Sequence, residues 1–190
     1  SLDYGGDWKL MHFAAQKFFA PTLITAVPEG EHILIRGHSD VPGGQEVKVN
    51  VSAVSTSGNS RPLTSGSGKL TLNAETLCSV QTDQLEPDEF LLVDWENGRE
   101  IFAPKPYKSY DLLSNYLSIV TKQVGDAYAV TLSSNRLALF AAVEADCNGR
   151  WESNLFDLLP GEKITTSFTP ANPNETPNFT TRDLHSATMT

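Results

Sequence analysis

Apolar side chains change period once along this chain, just after Pro21. Between Asp7 and Ala20 they recur at helical spacing: Trp8, Met11, Ala15, Phe18 and Phe19 form one stripe, Leu10 and Ala14 widen it, and Pro21 stops the run. The pattern predicts one well-buried helix, and nothing later in the chain repeats it. Beyond Pro21 the period is two. Val47, Val49 and Val51 alternate with Lys48, Asn50 and Ser52, and Leu70 and Leu72 with Lys69 and Thr71, as half-buried strands do. The intervening 55–68 stretch of Ser, Thr, Gly, Asn and one Pro has almost nothing to bury and reads as a loop.

Phe90–Trp95 and Glu100–Ala103 flank Glu96-Asn97-Gly98-Arg99, where Asn-Gly can supply the positive φ angles of a type I′ hairpin turn. Pro104, Pro106 and the Tyr-rich polar stretch to Asn115 interrupt the strand pattern, which sets a domain boundary at 106/107. Period two returns with Leu117 and Ile119, then Tyr128, Val130 and Leu132. The apolar run Leu137–Val143 reads as a central strand and Lys163–Phe168 as a last good one. Asn148-Gly149 and Leu159-Pro160-Gly161-Glu162 read as turns, and 172–178 as a Pro-rich loop before a short tail. The expected fold is all-β: two tandem immunoglobulin-like sandwiches, 21–106 and 107–190, preceded by one α-helix.

Composition narrows the partners. Among 190 residues, 14 basic against 23 acidic side chains give a net charge of −9, which repels phosphate backbones and anionic lipid, so neither nucleic acid nor a membrane is expected. No run of 18 apolar residues or signal-type leader occurs, which slightly favours the cytoplasm and leaves the compartment unknown. The start at Ser1 reads as the cut end of a longer polypeptide. Cys78 and Cys147 stand far apart without His partners and are read as free thiols. Sequons at Asn50, Asn174 and Asn178 are about what chance gives in a chain this rich in Asn, Ser and Thr. Gly66-Ser67-Gly68-Lys69 is no phosphate loop, because Leu63 and Leu70 stand where that motif needs Gly and a hydroxyl.

Several stretches resemble glycoside hydrolase family 2, in its β-mannosidase branch. Ser1-Leu2-Asp3-Tyr4-Gly5-Gly6-Asp7-Trp8-Lys9, running into Phe18-Phe19-Ala20-Pro21, is similar to the last helix of that family's catalytic (β/α)8 barrel. Phe90–Trp95 with the Pro104–Leu112 connector resembles the following region. Gly149-Arg150-Trp151-Glu152-Ser153-Asn154-Leu155-Phe156-Asp157-Leu158-Leu159-Pro160-Gly161-Glu162, with Arg182-Asp183-Leu184-His185-Ser186, resembles the final Ig-like domain. The resemblance implies a non-catalytic accessory region, with residues 1–20 as the terminal barrel helix. The parent enzyme would remove terminal β-linked mannose with retention, using two Glu that precede Ser1. Retaining chemistry needs two carboxyl groups held about 5–5.5 Å apart on rigid elements.

No residue of this chain is therefore assigned a catalytic role. Asn174-Glu175 matches the family's acid/base dipeptide, but Asn172, Pro173 and Pro177 put it in a loop with neither a strand end nor burial. Trp95 shares a face with Leu91 and Val93 and reads as core. Trp151 follows a turn among Arg150, Glu152, Ser153 and Asn154, so Trp151 and Asn154 are the candidate carbohydrate contacts. His12, His32, His38 and His185 lack ligand spacing. Asp88-Glu89 and Glu144 with Asp146 read as solvated carboxylates rather than a calcium loop, so neither metal nor cofactor is assigned. Asp157 and Glu162 bracket a turn and read as structural. The expected partners are the catalytic barrel of the same polypeptide, an oligosaccharide, and a second copy meeting this one through the helix. An independent carbohydrate-binding module or a tandem Ig-like adhesion module is the competing expectation.

Overall fold

The period-two segments become strands that pair antiparallel throughout. A computed structural model describes residues 8–114 and 116–188 and divides the chain into two compact units, 18–111 and 1–17 with 112–190. Ser1–Asp7, which carry part of the barrel-helix resemblance, and Asn115 lie outside the described residues.

In the 18–111 unit, β1 (Thr22–Glu29), β2 (His32–Ser39) and β5 (Glu75–Gln81) make one sheet in the order β1-β2-β5. A second sheet, β4-β3-β6-β7, comprises β3 (Gln45–Ser55), β4 (Ser60–Leu70), β6 (Glu89–Trp95) and β7 (Gly98–Phe102). Ile24, Ile33, Ile35, Val49, Val51 and Leu91 form the core, with Trp95 partly buried against it. Three and four strands around one core is the Ig-type arrangement.

Two local expectations are corrected here. Residues 60–70 are not loop but the edge strand β4, paired with β3 along its length. An edge strand needs few apolar side chains, and Pro62 sits at the register shift between Val51 and Ser52, a position a ladder tolerates. Gly66 serves close approach, since a Cβ there would stand 2.3 Å from the Leu77 carbonyl oxygen of β5. The strand has small residues because another backbone lies against it. The hairpin forms, but Trp95 pairs with Gly98, leaving Glu96-Asn97 as the loop. Neither has positive φ, since Phe140 and Leu155 are the only non-glycine residues with positive φ among those described. The turn is therefore not type I′. Gly98 is required because the Trp95 indole lies over it, 2.4 Å from where a Cβ would be.

Leu72, expected in a half-buried strand, lies just past β4 and is exposed. The Pro104–Asp111 connector belongs to this unit rather than separating two domains at 106/107. Phe90, Leu92 and Ile101 are buried, although they face away from the Val49–Leu91 core. Tyr110 stacks on Phe90 with ring centroids 4.1 Å apart, and Tyr107 lies 6.3 Å from it. Lys105 Nζ sits 4.7 Å above the Tyr110 ring and also donates to the Pro87 carbonyl. The connector is a strap over the outer face of the sheet.

The other unit holds α1 (Leu10–Phe18) and seven strands, closed by the short α2 (Leu184–Thr188). The strands are β8 (Leu117–Val124), β9 (Ala127–Ser134), β10 (Ala138–Ala145), β11 (Gly149–Trp151), β12 (Phe156–Leu158), β13 (Lys163–Pro170) and β14 (Phe179–Arg182). They form sheets β12-β10-β14 and β11-β13-β9-β8, so the apolar run of β10 is central. Its ladder with β12 shifts register between Ala138 and Ala141, where Phe140 takes φ 52° and donates its N–H to Asp157 Oδ1 at 2.9 Å.

The helix is buried less, and on a different side, than its sequence pattern implies. Phe13 enters the core of this sandwich, whereas Met11, Phe18 and Phe19 are 68%, 66% and 86% exposed. At about 100° per residue Met11, Ala15 and Phe18 share the side opposite Phe13. The helix is apolar on two sides, and only one is covered.

The strap gives a discriminating substitution. The Tyr110 hydroxyl makes only long contacts, to Lys105 N at 3.4 Å and Glu89 O at 3.5 Å. Tyr110→Phe is expected to cost under about 1 kcal/mol in urea unfolding, and Tyr110→Ala, which uncovers Phe90, about 3–5 kcal/mol. Equal costs would show that the ring does not cover the sheet.

Candidate functional site

Trp151 and Asn154 border one cleft, but neither offers what a sugar platform needs. Trp151 is 9% exposed, with Phe168 and Phe179 rings at 4.8 and 5.7 Å. The polar residues around it in sequence point elsewhere, because alternation along β11 turns Trp151 inward and Arg150 out. Asn154 is buried and works as a surrogate strand residue. Its Nδ2 donates to the Val143 carbonyl at 2.8 Å, and its Oδ1 accepts from Val143 N at 3.1 Å and Leu155 N at 2.9 Å. The amide thus satisfies the β10 backbone where β12 has not yet begun.

The cleft, of about 590 Å3, runs between the first turn of α1 and strands β10 and β14. Trp151, Asn154 and Phe168 are its buried lining; Met11, Glu144 and Arg182 are more exposed and form its rim. Glu144 and Arg182 face each other because β10 and β14 pair Ala142 with Arg182 and Glu144 with Thr180, and their side chains meet at 2.8 Å, each about half exposed. Trp8 is held by His12, with ring centroids 3.9 Å apart, and by Arg150, whose guanidinium lies 4.8 Å from the Trp8 ring centroid.

The rim is not legible in the sequence. By sequence Glu144 groups with Asp146 as a solvated carboxylate, and Arg182 belongs only to the terminal motif. No local signal joins residues so far apart in sequence, and a β10–β14 pairing had to be known first. Asp146 is instead engaged by Asn178, which donates through Nδ2 at 2.7 Å and its backbone N–H at 2.8 Å and lowers the carboxyl's pKa.

In the 18–111 unit the concentrated charge is Glu89, 7% exposed and not a solvated face. Arg61 clamps it with Nε at 2.9 Å and Nη2 at 2.6 Å, and Glu86 N–H adds a third bond at 2.9 Å. The guanidinium holds the Glu89 carboxyl below the usual carboxylate range against the desolvation that burial imposes, and the Glu86 N–H helps. Both Glu89 oxygens are thus engaged by the fold. Asn174-Glu175 lies in an exposed turn, with Glu175 N–H on Asn172 O at 3.1 Å. Among the described residues no group of three His, Cys, Asp or Glu could hold a metal, and no helix is long and apolar enough to cross a membrane. Cys78 and Cys147 form no disulfide among the described residues.

Comparison with known proteins adds to this geometry. Residues 114–187 match the Ig_mannosidase family, described as an Ig-fold domain. The chain is 26% identical to a β-mannosidase of Rattus norvegicus over 91% of its own length, and 25% identical to one of Mus musculus over the same share. A shorter segment of 51 residues, 27% of this chain, is 39% identical to a β-mannosidase of Capra hircus. A crystal structure of a β-D-mannosidase from Dictyoglomus thermophilum superposes on 96% of this chain with a TM-score of 0.79 at 16% identity, a likeness of fold. The chain spans 22% of the rat and mouse proteins and 24% of the bacterial chain.

Two substitutions test the electrostatic and hydrogen-bond assignments. Glu89 has a depressed folded pKa, so its stabilisation is fully present above its unfolded pKa of about 4.3 and is lost as pH falls through the lower folded value. The stability gap between the wild type and Glu89→Gln should therefore be flat above about pH 5 and close below about pH 4. A gap independent of pH would contradict the clamp. Asn154→Ala leaves Val143 N–H and C=O buried and unpaired, and is expected to cost about 1–3 kcal/mol by urea midpoint. No change would remove its structural role.

Proposed function

We propose, for a chain that belongs to the β-mannosidase branch of glycoside hydrolase family 2 and carries its Ig-fold domain, a non-catalytic role as the accessory region of a retaining, exo-acting β-mannosidase. In this reading the chain supports a catalytic barrel borne on the same polypeptide and leaves the cleavage of terminal β-D-mannose to two barrel carboxylates.

One observation carries the proposal: α1 has two apolar sides and covers only one. Phe13 is spent on the carboxyl-terminal sandwich, while Met11 and Phe18 present large apolar surface to solvent. A helix apolar on opposite sides belongs between two bodies, and a barrel preceding it in the polypeptide is the occupant the relatives' greater length favours. Residues 8–20 would then act as a mortise between barrel and sandwich. Pairing of two copies through the same surface is the competing occupant, and an adhesion module offers no reason for such a helix.

The test uses Met11→Lys and Phe18→Lys together, in a polypeptide that carries the barrel ahead of Trp8. Both side chains are exposed in the chain alone, so its urea midpoint should hardly move, whereas the longer polypeptide should lose several degrees in Tm and become open to proteolysis near residue 8. An unchanged Tm would sink the docking role. Hydrolysis of 4-nitrophenyl β-D-mannopyranoside by the 190-residue chain itself would overturn the non-catalytic assignment.

A further inference from the structure

The geometry points to a binding site for a neutral oligosaccharide in the cleft between α1 and strands β10 and β14. About 590 Å3 lies within the roughly 300–1,000 Å3 typical of small-ligand sites. The chemistry of its wall alternates as a pyranose ring does. Leu10 and Ala145 offer apolar surface for C–H groups, and Lys9, Glu144 and Arg182 offer hydrogen-bonding groups for a hydroxyl rim.

The ion pair at the rim argues for a neutral ligand. Arg182 Nη2 to Glu144 Oε1 at 2.8 Å satisfies the charge of both partners, so neither is an open counterion for a phosphate or carboxylate. Yet the guanidinium has further N–H groups and the carboxylate further lone pairs. A fixed array of donors beside acceptors, with little net charge, suits hydroxyls that both donate and accept. Lys9, at the rim, adds an ammonium with three N–H donors and leaves the rim one positive charge in excess, and the phosphate titration reads whether that charge governs binding.

The wall is also held in place before any ligand arrives. Trp8 is braced by His12 and Arg150, and Trp151 by Phe168 and Phe179, so binding need not order these rings. Their faces are occupied by these neighbours, and recognition here rests on the hydrogen-bonding rim, with no stacking platform at Trp151. The choice of β-1,4-linked manno-oligosaccharides as first probe rests on the proposed function; the site itself does not.

The experiment is calorimetric titration of the 190-residue chain with mannobiose, mannotriose, cellobiose and inorganic phosphate. Saturable heat is expected with at least one sugar. Arg182→Ala and Glu144→Gln should each raise Kd about tenfold, as loss of a hydrogen bond to a charged group does. Lys9→Ala, at an exposed rim site whose change leaves the core alone, should weaken binding as well, and Val120→Lys on β8 should bind as the wild type does. Thermal melts confirm that each variant is folded. Binding insensitive to all three rim substitutions, a response to phosphate but not to sugar, or no heat with any sugar overturns the site. The accessory role is read separately, from the Tm of the longer polypeptide, so either idea can fail alone.

Discussion

Strands in two sheets bury one inner face each, and any apolar side chain on the outer faces or open ends must find cover elsewhere or stay wet. Phe90, Leu92 and Ile101 are such residues, since β6 and β7 are apolar on both faces. The unit closes because Tyr107 and Tyr110 fold back over them, and the polar Pro-containing strap that delivers these rings is as much a part of the core as the strands. In the carboxyl-terminal unit α1 delivers Phe13 in the same manner. The two units thus solve one problem by different means, a strap that is locally complete and a helix that is not.

How much of this was legible in the sequence depends on whether the signal was local. Period-two alternation located most strands, and the continuous apolar run of β10 announced a central strand because both of its faces are buried. The edge strand β4 was illegible for a physical reason: its register is held by β3, its outer ladder is open, and its glycines answer the approach of β5. Asn97-Gly98 misled because a glycine demanded by the Trp95 ring looks the same in sequence as one demanded by positive φ. The helix misled by having two apolar sides, one packed through Leu10 and Phe13 and the other, with Met11 and Phe18, left open.

The candidate site shows the same division. Trp151 and Asn154 stood out by composition, and both do border the cleft, yet their polar and aromatic groups are consumed by Val143, Phe168 and Phe179. The motif around them marks a family because it builds a domain: Asp157 satisfies Phe140 N–H at a left-handed bulge, Glu162 accepts Leu159 N–H, and Asn154 stands in for a missing strand residue. Residues that fix backbone polar groups can identify a fold as strongly as residues that perform chemistry identify an activity. Glu144, which has further hydrogen-bonding capacity, lies in no such motif, and Arg182 stands only at the edge of the terminal one.

A sandwich whose polar side chains are spent on its own backbone is rigid, and rigidity is what a support needs if it is to hold a neighbouring helix in one position. The Arg61–Glu89 clamp and the Asn154 bridge spend buried polar groups on shape in this way, one in each unit. At the cleft rim β10 and β14 bring Glu144 and Arg182 together on a ladder that cannot slide without turning their side chains to the other face. A ligand at such a rim would draw its precision from the support, so the two proposed roles would not compete in one domain.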